Sequence, residues 1–154
     1  MNAPLEGVRV IEIAHFVAVP AAGSLLADLG ADVIKIELPP KGEIYRRSRP
    51  AFSGFKSEFP EGPGFHFDNR GKRSLMLDLT NPDARSALLR VIDGADVVTT
   101  NLLPARRLST GSITSRCSRA NRASSTPASM ATVTAARKPI APPSTTPATG
   151  RAAA

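Results

Sequence analysis

The sequence predicts an α/β fold: a Rossmann-like parallel sheet half-domain, read as β-α-β, loop, β-α-β, with a disordered C-terminal tail. Three observations predict it. Short runs rich in Val and Ile end in turns, as strands buried on both faces do. Segments with apolar residues at helical spacing bridge them. From Leu108 onward the composition changes: Ala, Ser, Thr and Pro make up 32 of the last 47 residues, with no acid and no aromatic side chain.

Gly7–Glu37 anchors the reading. Val8, Val10 and Ile13 mark a first strand, and His15–Pro20 interrupts it. Pro20 suits a helix's first turn, where its missing N–H costs nothing. Ala21, Leu25, Leu26 and Leu29 recur at helical spacing, and Gly30 supplies the stop. Val33, Ile34 and Ile36 open a second strand, completing a right-handed βαβ unit. Ligands of such sheets bind at the carboxyl ends of the strands, which points to Ala14–Ala18 and the segment after Glu37.

Leu38–Gly64 reads as a long surface excursion, with Tyr45, Phe52, Phe55 and Phe59 as local anchors. Its Arg46, Arg47 and Arg49 form either a solvated basic cluster or a phosphate contact. Asn69–Gly71 forms a turn. Ser74–Leu79 then alternates as a strand, with Leu75, Leu77 and Leu79 on one face. Thr80 or Asn81 caps the next helix, and Pro82 sits in its first turn. Ala84, Leu88, Leu89 and Ile92 form its buried face, Gly94 ends it, and Ala95–Thr100 is a further strand. Asn101–Pro104 again follows a strand's carboxyl end. Domain organisation follows: residues 1–107 form the α/β part. Residues 108–154 form a tail that cannot bury enough apolar surface to offset its ordering entropy.

Net charge is +7, with 20 Lys and Arg against 13 Asp and Glu. All the acids lie at or before Asp96, so residues 1–107 are near neutral and the excess belongs to the tail. Without aromatic residues for base stacking, that tail is not expected to bind nucleic acid. No run of eighteen apolar residues exists, so no membrane span is expected. Absence of a signal-like N-terminus and a single cysteine, Cys117, fit a cytoplasmic protein. No GxGxxG follows the first strand, and no His or Cys pair suggests a metal. His15 and His66 are the only histidines. A lone His at a strand end is usually structural, and the residues alone assemble no nucleophile–base–acid set.

Three stretches carry a resemblance. PLEGVRVIEIAHFVAVPAAGSLLADLGADVIKIE (Pro4–Glu37) resembles the opening of class III CoA-transferases, the family of formyl-CoA and carnitine CoA-transferases, to which α-methylacyl-CoA racemase is related. NRGKRSLMLDL (Asn69–Leu79) resembles the family's second hallmark, and GADVVTTNLLPARRL (Gly94–Leu108) its third, in the family's order and spacing. By this resemblance His15, Phe16, Val17 and Ala18 wrap the CoA moiety. Leu77, Asp78, Leu79 and Thr80 line its adenine side. Asn101, Leu102 and Leu103 also contact CoA, with Arg106 or Arg107 as the nearby cation. No permanently bound cofactor is implied; coenzyme A and acyl-CoA are substrates, alongside carboxylates, and the intact family member is an interlocked homodimer. The family commonly has Arg after the second strand's Glu; here Leu38 stands there, leaving Lys41 or Arg46 as substitutes. The family's catalytic Asp forms acyl anhydride and thioester intermediates and lies downstream of the third motif. This sequence has no Asp after Asp96, so the resemblance implies that the chain as written lacks the nucleophile and is inactive.

The tail reads as a shifted frame. Ala131–Gly150 can be encoded so that reading one base earlier gives GYGHSGPKADRPAFDYTGYW, which resembles the family's next conserved text. Second and third bases of each shifted codon are fixed by the tail itself. A frameshift near residues 106–109 is the expectation. In the restored frame Phe-Asp occupies the position resembling the racemase His-Asp, which favours a transferase over the alternative, an acyl-CoA racemase or epimerase. A non-catalytic binding module with a basic tail is the alternative from another class.

Overall fold

The computed structural model describes residues 3–48 and 61–102, together with a strand at 132–135. Strands β1 (Arg9–Ile13), β2 (Asp32–Glu37), β3 (Arg73–Met76) and β4 (Val97–Thr100) alternate with helices α1 (Ala18–Asp28), α2 (Pro63–Asn69) and α3 (Pro82–Asp93). The sheet order is β3-β2-β1-β4-β5, where β5 is Thr132–Ala135. β1 pairs in parallel with β2 and β4, and β2 with β3. This is the parallel α/β arrangement that the sequence predicts, in the 3-2-1-4 order of doubly wound sheets.

Within the C-terminal tail, Thr132–Ala135 pairs antiparallel with β4, Val98 opposite Thr134. An unpaired strand edge offers a row of backbone donors and acceptors, and a four-residue segment with three β-branched residues, Thr132, Val133 and Thr134, fills it. The remaining tail lies outside the described residues, as do Phe52, Phe55 and Phe59 of the long excursion.

The two sheet faces differ. Under α3, Ile11, Ile13, Ile36, Leu88, Ile92, Ala95 and Val98 form an apolar core, joined by the partly buried Leu75, Leu77, Leu79 and Leu102. α3 is delimited as the sequence predicts: the Asn81 side chain accepts from the Asp83 amide at 2.8 Å, Pro82 opens the first turn, and Gly94 is the C-cap. Under α1 the apolar part is small, with Val10, Ala31 and Val33 at its centre. Further along the same strand faces come Glu12 and Lys35, adjacent in register and buried.

That substitution of charge for hydrocarbon turns α1. Of the residues that recur at helical spacing, Leu26 packs against that apolar part while Leu25 and Leu29 are exposed, and Val19, Pro20, Gly23 and Ser24 are buried. A Cβ on Gly23 would stand 2.1 Å from Glu12 Oε2, so only glycine lets the helix lie over the buried carboxylate. The excursion after β2 also has more structure than expected. It contains a short 3-10 turn, Ile44–Arg47, and leads into α2, whose buried Phe65 and Asp68 face the rest of the molecule.

Candidate functional site

All four parallel strands end on one edge, and that edge collects the candidate residues. In the 3-2-1-4 order β1 and β4 are neighbours, and their carboxyl ends lie side by side on the edge where open α/β sheets hold ligands. There His15 and Asn101 meet. The His15 amide donates to Asn101 Oδ1 at 3.0 Å, and Asn101 Nδ2 donates to the His15 carbonyl at 2.7 Å. The Asn side chain thus mimics a further rung of the ladder and holds the two strand ends together.

Phe16, Val17 and Ala18 continue from this clasp into α1. Phe16 has φ 62°, a left-handed conformation rare for a bulky residue. Its ring is exposed and tilted against Tyr45, centroids 6.3 Å apart. Val17 is the N-cap of α1 and supplies no side-chain cap; the first turn holds no acid. The start of α1 thus has no side-chain cap, and the positive end of its dipole stands at this edge, an arrangement that suits an anionic group. Beside it an open concavity of about 380 Å³ is lined by Phe16, Ile44, Arg47 and Ser48.

Leu77–Thr80 follow β3, two strands from β1 and so about 10 Å away along the same edge. Leu77 and Leu79 are partly buried against the α3-side core, as is Leu102 after β4. Asp78 and Thr80 are exposed. Asp78 Oδ1 accepts from the Thr80 amide at 3.0 Å and the Thr80 hydroxyl at 2.7 Å, which lowers the Asp78 pKa. Leu103 and Arg106 lie outside the described residues.

Beneath the edge runs a buried charge network that the sequence reading missed. Lys35 Nζ meets Glu12 Oε1 at 2.8 Å, Glu43 Oε2 at 2.7 Å and the Ala14 carbonyl at 3.1 Å. Lys72 Nζ meets Glu12 Oε2 at 2.8 Å, the Pro20 carbonyl at 2.7 Å and Asn69 Oδ1 at 3.1 Å. Burial pulls the Lys72 pKa down, with Glu12 opposing it. Glu37 closes the network: burial pushes its carboxyl up, but hydrogen bonds from Arg46, the Glu43 amide and Ser74 outweigh this and hold it at about 2. Gly42 permits this closure, since it has φ +69° and a Cβ there would stand 2.6 Å from Glu37 Oε2. Arg46 grips Glu37 with two nitrogens at 2.7 Å and stacks 4.1 Å over the Phe65 ring. Its guanidinium is thus engaged in the fold. One signal was available in the sequence: IEI and IKIE set charges in strands otherwise reading as buried on both faces.

The chain matches the model of CoA-transferase family III over residues 5–123. It belongs to that family. The match extends past Leu108, where the motif-level resemblance stops. The chain is 44% identical over 99 residues to the succinate–glutarate CoA-transferase of Agrobacterium fabrum, covering 64% of this chain and 25% of that one. It is 36% identical over 106 residues to the formyl-CoA:oxalate CoA-transferase of Afipia carboxidovorans, covering 68% and 23%. Among solved structures, a CAIB/BAIF family protein from Brucella suis superposes with TM-score 0.61 at 36% identity, covering 72% of this chain and 29% of that one. The chain thus spans about a quarter of the length of the curated relatives it matches.

Proposed function

We propose that this family III chain supplies the N-terminal, CoA-binding part of an enzyme that moves CoA between an acyl-CoA and a carboxylic acid. The observation that carries the reading is the shared carboxyl edge of β1 and β4, where the Asn101–His15 clasp stands beside the start of α1, which has no side-chain cap. In this reading the amides of Val17 and Ala18 take up CoA phosphate charge. Phe16 offers an apolar face, Asp78 and Thr80 border the adenine side, and Leu103 and Arg106 complete the contact after β4. Arg47, which lines the concavity, is better placed than Arg46 as the cation after β2, because Arg46 is held by Glu37.

Carboxylate chemistry on the thioester calls for an Asp downstream of the third motif, and the last Asp of this sequence is Asp96. In this reading the intact enzyme is a cytoplasmic homodimer, the frame changes near residues 106–109, and the 154-residue chain is inactive. The frame-restored protein and this chain are to be assayed side by side with acyl-CoA donors and a panel of dicarboxylate acceptors. Transfer by the restored protein alone is the expected result. Inversion of 2-methylacyl-CoA without transfer would replace the transferase reading with a racemase; turnover by the short chain would refute the frame change.

A further inference from the structure

We infer that Glu43 is a positioning residue: its buried carboxylate locks the β1–α1 turn in the left-handed shape that presents the Val17 and Ala18 amides to an anionic ligand. The inference rests on the CoA reading above for the ligand, and on geometry for the lock. Glu43 belongs to no predicted motif and is 2% exposed. Oε1 accepts from the Phe16 amide, the residue at φ 62°, while Oε2 pairs with Lys35 at 2.7 Å. Glu43 is itself held from behind, its amide donating to Glu37 Oε2 at 2.9 Å. A chain of contacts therefore runs from the end of β2, through Glu43, to the end of β1.

Left-handed backbone at a bulky residue is unfavourable and persists only where surrounding contacts over-determine it. The peptide entering Phe16 is held at both its groups: Asn101 Nδ2 donates to the His15 carbonyl, and Glu43 Oε1 accepts from the Phe16 N–H. On the other side the helix begins, the Ala21 amide donating to the Val17 carbonyl at 2.7 Å. Relaxing Phe16 to negative φ would swing the next peptide and re-aim the first-turn amides of α1. Glu43 would thus act on ligand affinity through the turn, without touching the ligand.

The test separates lock from ligand. Glu43→Asp keeps the charge beside Lys35 but shortens the side chain by one methylene, out of reach of the Phe16 amide. In the full chain, amide hydrogen exchange at Phe16 should rise about tenfold, while Ile11 in β1 is unchanged. CoA affinity, by titration calorimetry, should fall about tenfold in the Phe16 background. In the Phe16→Gly background, where glycine adopts positive φ freely, the same Glu43→Asp change should cost less than twofold. Should Glu43→Asp not fold, Glu43→Gln makes the same comparison, because one of its two terminal atoms no longer accepts. An equal loss in both backgrounds, or unchanged exchange at Phe16, overturns the inference. If the unsubstituted chain binds no CoA, the CoA reading of this chain falls, and the exchange measurement alone decides the lock.

Discussion

Glu37 sits where the fold depends most on one carboxylate, and acid titration reads it directly. Its folded pKa is about 2 against an ordinary 4.5. As pH falls, the unfolded chain takes up this proton first, so the group stabilises the fold above pH ~4.5 and the contribution is lost towards pH ~2. At about 1.4 kcal/mol per pKa unit, the full contribution is about 3 kcal/mol, most of it gone by pH ~2.5. Other carboxylates titrate in the same window. Asp32 is held low by Arg73, burial opposing, with help from Arg9. The comparison is therefore between the unsubstituted chain and Glu37→Gln, by urea unfolding followed by circular dichroism at several pH values between 7 and 2.5. Glu37→Gln should be less stable at pH 7, and its stability should fall by about 2–3 kcal/mol less across that range. Parallel pH profiles for the two proteins would refute the assignment of this stabilisation to Glu37.

Three further outcomes are expected. Gly23→Ala forces a Cβ to within 2.1 Å of Glu12 Oε2 and should lower stability by about 1–3 kcal/mol in urea melts, whereas Ala22→Ser, on the exposed side of α1, should change it by under about 0.5 kcal/mol. Lys35→Met strands the buried Glu43 without its cation and should cost about 3–5 kcal/mol, read as loss of a cooperative thermal transition. Asn101→Ala removes both hydrogen bonds to His15 and should cost about 1–3 kcal/mol, with faster amide exchange at His15 but not at Val10.

The strands and α3 were legible because their signals are local. Val and Ile runs, the Asn81–Pro82 start and the Gly94 stop need no tertiary information. The orientation of α1 was not legible. Leu25 and Leu29 look like a core stripe until Glu12 is known to lie beneath Gly23, and that contact depends on packing between elements. α2 escaped because seven residues, Pro63–Asn69, are too short to show a period. β5 escaped because low-complexity composition predicts no core, whereas edge pairing needs only backbone. In the candidate site, Asn101 and His15 stand out as the residues after two strand ends, but their meeting follows from strand order. Glu43 carries no local signal at all: it is a loop glutamate until the fold brings Lys35 and the Phe16 amide to its two oxygens.

CoA binding at the carboxyl edge of this sheet is tested by an amide chemical-shift map of the 154-residue chain titrated with CoA. Shifts should concentrate at His15–Ala18, at Asp78–Thr80 and at Asn101–Leu102, with the amino ends of the strands, around Arg9 and Asp32, unmoved. Shifts centred on the amino ends, or no shifts at millimolar CoA in a folded chain, would contradict it.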